Sequence, residues 1–171
     1  MNMAKRVVIM MPAVFALAGF QPAWGATIRD DQPDSGYLSL GADPAYAAVG
    51  SLLINGAING SGTLVAPDWV LTAAHLLDAA TTGTFTINGT SYTASGFFRN
   101  PGWNGSSYNG SDLGLVHLSS ALDAIPPALL YTGNSEIGQV GTYVGYGFHG
   151  DRLDGLPNSA RHSETRVSKH D

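Results

Sequence analysis

Cysteine is absent from the 171 residues of this sequence. Disulfide bonds therefore cannot stabilise the fold, and packing has to do so alone. Charged side chains are also scarce, at 12% of the chain, and acidic residues outnumber basic ones by 13 to 8. Nucleic-acid-binding proteins need basic surface to neutralise phosphates. The net charge of −5 therefore predicts that nucleic acid is not a partner.

Long apolar runs are absent after the N-terminus. Residues 1–25 follow the pattern of a secretory signal peptide, in which Lys5-Arg6 precedes the apolar run Val7–Phe20 and small residues surround the cleavage position. A membrane-spanning helix is the alternative, but it needs about 18 or more apolar residues, and this run is shorter. We predict export from a bacterium to the periplasm or the medium, with no membrane attachment of the mature chain.

Glycine-rich turns are abundant, and Asn-Gly dipeptides occur at positions 55–56, 59–60, 88–89, 104–105 and 109–110. Asn followed by Gly accepts the positive φ angles that a type I′ hairpin turn requires at both central positions. The clearest case is Asn88-Gly89, which separates the β-prone runs Thr84–Ile87 and Thr90–Thr93. This pattern predicts a β-hairpin.

Further short apolar or alternating runs predict strands at Ala48–Ile54, Gly62–Val65, Trp69–Thr72, Leu113–Leu118 and Gly141–Gly145. Closely spaced short strands indicate an all-β antiparallel barrel or sandwich. Ala73–Ala79 is predicted to form a single helical turn, and no long amphipathic helix is expected in the mature chain. After Gly147 the sequence becomes polar and charged, which predicts a loop or a frayed tail.

His75 ends the segment Ser61–His75, which reads Ser-Gly-Thr-Leu-Val-Ala-Pro-Asp-Trp-Val-Leu-Thr-Ala-Ala-His. A histidine that acts as a general base has to be held within reach of the proton it takes. A buried-looking strand leads into this position, and the two small alanines let the backbone pack closely there. From the residues alone, a purely structural histidine remains the alternative.

Asp112 belongs to the segment Ser111–Leu118, where it precedes a run of apolar residues. A carboxylate entering a buried strand costs free energy unless it is hydrogen-bonded. A partner for this carboxylate is therefore expected. An aspartate that caps the preceding turn is the structural alternative.

Together, the two segments resemble those that carry the catalytic histidine and aspartate of trypsin/chymotrypsin-like serine proteases. Asn100–Asn104 is similar to a loop of that family, and Gly141–Gly147 resembles the strand that opens its second barrel. The resemblance implies an all-β, trypsin-like antiparallel β-barrel, with the first barrel complete and the second only begun. We expect a signal peptide at 1–25, the first barrel at 26–130, and the start of the second barrel with a polar tail at 131–171.

The resemblance also implies a secreted serine endopeptidase that cleaves protein or peptide substrates through an acyl-enzyme, with His75 and Asp112 as catalytic residues. The Gly-Asp-Ser-Gly-Gly segment of the family is absent, so the nucleophile is expected beyond Asp171. Serines in the turns, such as Ser106, Ser107 and Ser111, lack the setting of a nucleophile. The alternative is a catalytically inactive exported β-domain that binds a protein or peptide partner. Complementation by a separate chain carrying the serine remains a third option.

Other positions depart from the family or carry no further chemistry. Leu76 stands where animal members have cysteine, and no Ile-Val-Gly-Gly start occurs near Ile28–Gly41, so activation through a new N-terminus is not expected. His117 is predicted to face solvent, and no ligand spacing supports a metal site at His149. We expect neither a metal nor a cofactor, and the sequence does not predict an oligomeric state. The remaining histidines, His162 and His170, lie in the predicted tail.

Overall fold

The computed structural model describes residues 26–27, 33–133, 141–146, 149–150 and 166–170. The predicted signal peptide and His162 lie outside these residues. The described strands are β1 (Ala26–Thr27), β2 (Val49–Ile54), β3 (Ile58–Ala66), β4 (Trp69–Thr72), β5 (Gly83–Ile87), β6 (Thr90–Arg99), β7 (Gly114–Leu118), β8 (Gly141–Gly145), β9 (His149–Gly150) and β10 (Arg166–His170). The described helical elements are one α-helix, α1 (Asp34–Gly41), and short 3-10 turns at Pro44–Tyr46, Ala74–Leu77 and Ser107–Asn109.

Six strands form a closed antiparallel barrel in the order β2-β3-β4-β7-β6-β5. Buried residues alternate with more exposed ones along β2, β5 and β7, as the two-residue period of a strand requires. Burying each large apolar side chain contributes about 1.5–3 kcal/mol. The largest fully buried side chains, which form the centre of the barrel, are Leu52, Ile54, Leu64, Val70, Phe85, Ile87, Val116 and Leu118.

The predicted hairpin is confirmed, because β5 and β6 pair with Ile87 opposite Thr90. Asn88 and Gly89 have φ values of 48° and 75°, and the same left-handed pair occurs at Asn55 and Gly56. The prediction of a turn is wrong at 59–60, because these residues lie inside β3 and pair with β2. A Cβ at position 60 would collide with the Leu76 side chain, so the glycine there permits close packing.

The predicted strands Trp69–Thr72 and Gly141–Gly145 are confirmed with these bounds. The expectation of a loop or tail after Gly147 is wrong for Arg166–His170, which forms β10 and pairs antiparallel with β8. β1 pairs in parallel with β9. Within the described ranges, no helix is long and apolar enough to cross a membrane.

Candidate functional site

His75 lies in the 3-10 turn Ala74–Leu77, named here the histidine turn, which follows β4 after one extended residue. Ala74 and Leu77 are 0% and 3% exposed, so they anchor the turn in the core. A Cβ at Gly114 would lie 2.7 Å from Leu77 Cδ1. The glycine at the start of β7 therefore allows the histidine turn to pack directly against that strand.

Asp112 lies near the end of the connection between β6 and β7, and residues 100–112 of this connection are named here the aspartate loop. β4 and β7 are neighbours in the barrel, and Thr72 at the end of β4 pairs with Gly114 at the start of β7. His75 comes three residues after Thr72, and Asp112 comes two residues before Gly114. The register of these strands therefore brings both predicted residues to the same end of the barrel.

The Asp112 carboxylate binds His75 through both of its oxygens. Oδ2 lies 2.7 Å from the ring Nδ1, and Oδ1 accepts the backbone N–H of His75 at 2.8 Å. The Asp112 side chain is only 16% exposed, whereas that of His75 is 53% exposed. The carboxylate is thus shielded and hydrogen-bonded, while part of the imidazole remains open to a reactant.

This geometry determines which ring nitrogen carries the proton. An ionised carboxylate only accepts hydrogen bonds, so the proton of the contact lies on Nδ1. The neutral ring then keeps its lone pair on Nε2, on the far side of the ring from the aspartate. The pair can therefore take a proton at Nε2 and stabilise the resulting imidazolium.

His117 lies on the outer face of β7, as predicted, with its side chain 36% exposed, and it also contacts three neighbouring side chains. Its Nδ1 lies 2.7 Å from Ser95 Oγ, and its Nε2 lies 3.2 Å from Asp68 Oδ2. The ring also packs on Trp69 with centroids 4.6 Å apart. Ser95 reaches the ring because the β6–β7 pairing shifts register between Ala94 and Gly96, and such bulges redirect a side chain.

Asp78 follows the histidine turn and was not predicted as a functional residue. Its Oδ1 accepts hydrogen bonds from Trp103 Nε1 at 2.7 Å and from Arg99 Nη1 at 2.8 Å. The indole N–H and then the guanidinium lower the pKa of the Asp78 carboxyl from its ordinary value of 3.8. No local sequence pattern indicates these contacts, because they join residues 21 and 25 positions apart.

In the part of the chain that the structure describes, no group of three or more His, Cys, Asp or Glu side chains converges.

Comparisons with known proteins concern the family and the fold of the chain. The sequence profile of the Trypsin family matches residues 41–171, and a search of curated protein sequences finds no significant match. Among solved structures, mouse neuropsin, described as a serine protease expressed in the limbic system of the brain, is 20% identical with a TM-score of 0.57. That match covers 74% of this chain and 60% of neuropsin.

Two further structures show the same likeness. HL collagenase is 17% identical with a TM-score of 0.58, over 78% of this chain and 59% of the other. Glu endopeptidase in complex with MPD is 14% identical with a TM-score of 0.58, over 75% of this chain and 65% of the other. At these identities the likeness concerns the fold, and it confirms the predicted all-β, trypsin-like barrel. The chain spans about 60% of the length of the first two structures.

Proposed function

Because this chain belongs to the trypsin family of serine proteases, we propose that it supplies the histidine and aspartate of an exported serine endopeptidase. His75 is the general base and Asp112 holds its ring. The nucleophilic serine is proposed to lie in sequence beyond Asp171. The observation that carries the proposal is the two-point contact of Asp112 with the ring and the backbone of His75, at 2.7 and 2.8 Å.

In the proposed reaction, Nε2 of His75 takes the proton of the serine hydroxyl as the serine oxygen attacks the peptide carbonyl carbon. Asp112 stabilises the imidazolium that forms, and the imidazolium then gives its proton to the leaving amine. The C–N bond breaks and leaves an acyl-enzyme. Water, deprotonated by the same Nε2, attacks the ester and releases the acid. General acid–base catalysis of this kind contributes about 100- to 10,000-fold.

The serine, the oxyanion-binding amides and the specificity pocket are proposed to come from the remaining part of the enzyme. Support comes from the lengths, because the chain spans 60% of neuropsin and 59% of HL collagenase. The sequence itself contains no Gly-Asp-Ser-Gly-Gly segment. The substrate is proposed to be a protein or peptide.

A non-catalytic exported domain that binds a protein or peptide is the second candidate. One observation favours it: the six-stranded barrel is closed, so it leaves no unpaired edge of the kind that promotes aggregation. β10 also covers one edge of β8. A closed barrel of this kind is suited to an independent binding domain.

The gene sequence beyond the codon for Asp171, read in all three frames, separates the two candidates. A downstream Gly-Asp-Ser-Gly-Gly segment is expected, and a chain extended through it should react with a fluorophosphonate probe. The 171-residue chain should not react, and neither should the extended chain carrying His75→Ala. A confirmed stop codon with no such segment in any frame would retire the peptidase proposal and leave the binding domain. Labelling of the 171-residue chain would show that an unrecognised nucleophile is present.

A further inference from the structure

A second connection joins the two segments that carry His75 and Asp112. Asp78 directly follows the histidine turn, and its Oδ1 accepts one hydrogen bond from each of two donors across the site. Arg99 is the last residue of β6, and Trp103 lies four residues later in the aspartate loop. One carboxylate oxygen therefore links the histidine turn to the start of the aspartate loop.

The loop transmits this attachment to Asp112. The Asn100 N–H donates to Leu113 O at 2.8 Å, and the Trp103 N–H donates to Asn100 O at 2.9 Å. The first bond joins the beginning of the loop to the residue after Asp112. The Leu113 N–H also donates to Ser111 O at 2.8 Å, which closes a tight three-residue turn around Asp112. Holding Trp103 therefore restrains the backbone that carries Asp112.

We propose that Asp78 is a positioning residue that, through Trp103 and Arg99, keeps the aspartate loop in the place where Asp112 selects the Nδ1–H tautomer of His75. This inference rests on the proposed function of the His75–Asp112 pair. The Asp78–Arg99 ion pair is 48% and 46% exposed, and exposed ion pairs stabilise little on their own. The directional hydrogen bond from the Trp103 indole is the stronger restraint.

The charge of Asp78 agrees with this role. The hydrogen bond from Trp103 and the interactions with Arg99 lower the pKa of Asp78, with a smaller electrostatic contribution from His75. The group is therefore ionised at neutral pH.

The test measures which tautomer His75 adopts in the 171-residue chain. The 15N chemical shifts of its two ring nitrogens are read from long-range 1H–15N correlation spectra, recorded at a pH at which the ring is neutral. The unmodified chain should show the Nδ1–H tautomer as the major form. Asp78→Ala removes the acceptor, and Trp103→Phe removes the indole donor while keeping an aromatic ring. In each we expect the ratio of Nδ1–H to Nε2–H to fall about fivefold, which corresponds to about 1 kcal/mol.

Asp78→Asn provides the conservative rescue, because its amide oxygen still accepts from Trp103. In Asp78→Asn, the ratio of Nδ1–H to Nε2–H should stay within about twofold of that in the unmodified chain. Loss of a hydrogen bond to a charged group would change it by more. Asp123→Ala removes one exposed aspartate outside the histidine turn and the aspartate loop, and should change nothing.

The outcomes are distinguishable. An unmodified chain in which Nε2–H predominates would contradict the His75–Asp112 pairing and with it both the proposed function and this inference. An Nδ1–H form that stays unchanged in folded Asp78→Ala and Trp103→Phe chains would overturn the positioning role alone. If Asp78→Ala does not fold, Trp103→Phe against Asp78→Asn decides the question in the same way.

Discussion

Two histidine–aspartate pairs lie within the described residues, and they differ in what surrounds them. His75 and Asp112 lie at the end of the barrel, 2.7 Å apart. His117 and Asp68 lie on its outer face, 3.2 Å apart, with side chains 36% and 39% exposed. The second pair also has a serine, because Ser95 Oγ is 2.7 Å from the His117 ring. By connectivity alone, the outer pair is closer to a complete Ser-His-Asp set.

Geometry favours the other pair. Both ring nitrogens of His117 already bond protein groups, and Ser95 Oγ also donates to the backbone carbonyl of His117 at 3.2 Å. His75 uses Nδ1 for Asp112, and no described contact occupies its Nε2. A general base needs a lone pair directed at the reactant. For a general base, an open nitrogen on a fixed ring therefore matters more than the number of polar neighbours.

The largest expected effect separates the two histidines. In a chain extended through its proposed serine, His75→Ala should lower kcat by about a million-fold, because without its base the serine is not activated and the triad acts as a unit. His117→Ala should retain most of the activity, since its ring bonds only groups of the barrel surface. Hydrolysis of a peptide amide, normalised to folded protein by circular dichroism, measures both. Equal losses in the two variants would show that His75 and His117 do not differ in their catalytic contribution.

The two aspartates should differ next most strongly. Asp112→Asn in the same extended chain should lower kcat by about 10,000-fold, because an amide in this place favours the wrong tautomer of His75. Asp68→Asn is the matched control and should leave kcat nearly unchanged. Steady-state kinetics on both variants tests this. A large loss in the Asp68→Asn chain would assign the outer pair a catalytic part.

Two glycines sharpen the same comparison through stability. A Cβ at Gly114 would lie 2.7 Å from Leu77, which is buried and has no room to move. Gly114→Ala should therefore lower the free energy of unfolding by about 1–3 kcal/mol, the usual cost of overpacking. A Cβ at Gly96 would lie 3.0 Å from the Phe98 ring, which is 52% exposed and can shift. Gly96→Ala should change stability by about 0.5 kcal/mol or less.

Urea denaturation of the two variants measures this difference. Similar losses of unfolding free energy would mean that the barrel is no more tightly packed at the end that carries His75 and Asp112 than on its outer face. A larger loss of unfolding free energy for Gly96→Ala would mean that the outer face is the more tightly packed of the two regions.

Local sequence patterns predicted much of the fold. The hairpin at Asn88-Gly89 and the strand Trp69–Thr72 follow from neighbouring residues, and both are confirmed. The family resemblance, carried by two short motifs, is also confirmed. His75 and Asp112 were named from these motifs, and their catalytic roles stay predictions. The boundaries at 25 and 130 likewise remain predictions.

The features that local sequence patterns do not predict depend on contacts between residues far apart in the sequence. Helix α1 has an internal glycine and no side-chain hydrogen bond at its N-cap Pro33. No local sequence pattern therefore predicts this helix. The surroundings of His117 depend on a register shift in β6, which a single sequence does not reveal. The hydrogen bonds to Asp78 form only when the barrel brings β6 beside the histidine turn.

The smallest expected effect is the contribution of Asp78 to the pH dependence of stability. Because Trp103 and Arg99 lower the pKa of Asp78 in the folded state below 3.8, the ionised group favours folding above about that pH. This contribution is lost as the pH falls through the lowered pKa. The Tm of the unmodified chain should therefore decrease more steeply below about pH 4 than that of Asp78→Asn, which has no such group to protonate. Parallel Tm curves from pH 6 to the acid limit would show that the contacts of Asp78 do not persist in solution, and would weaken the case that Asp78 holds the aspartate loop.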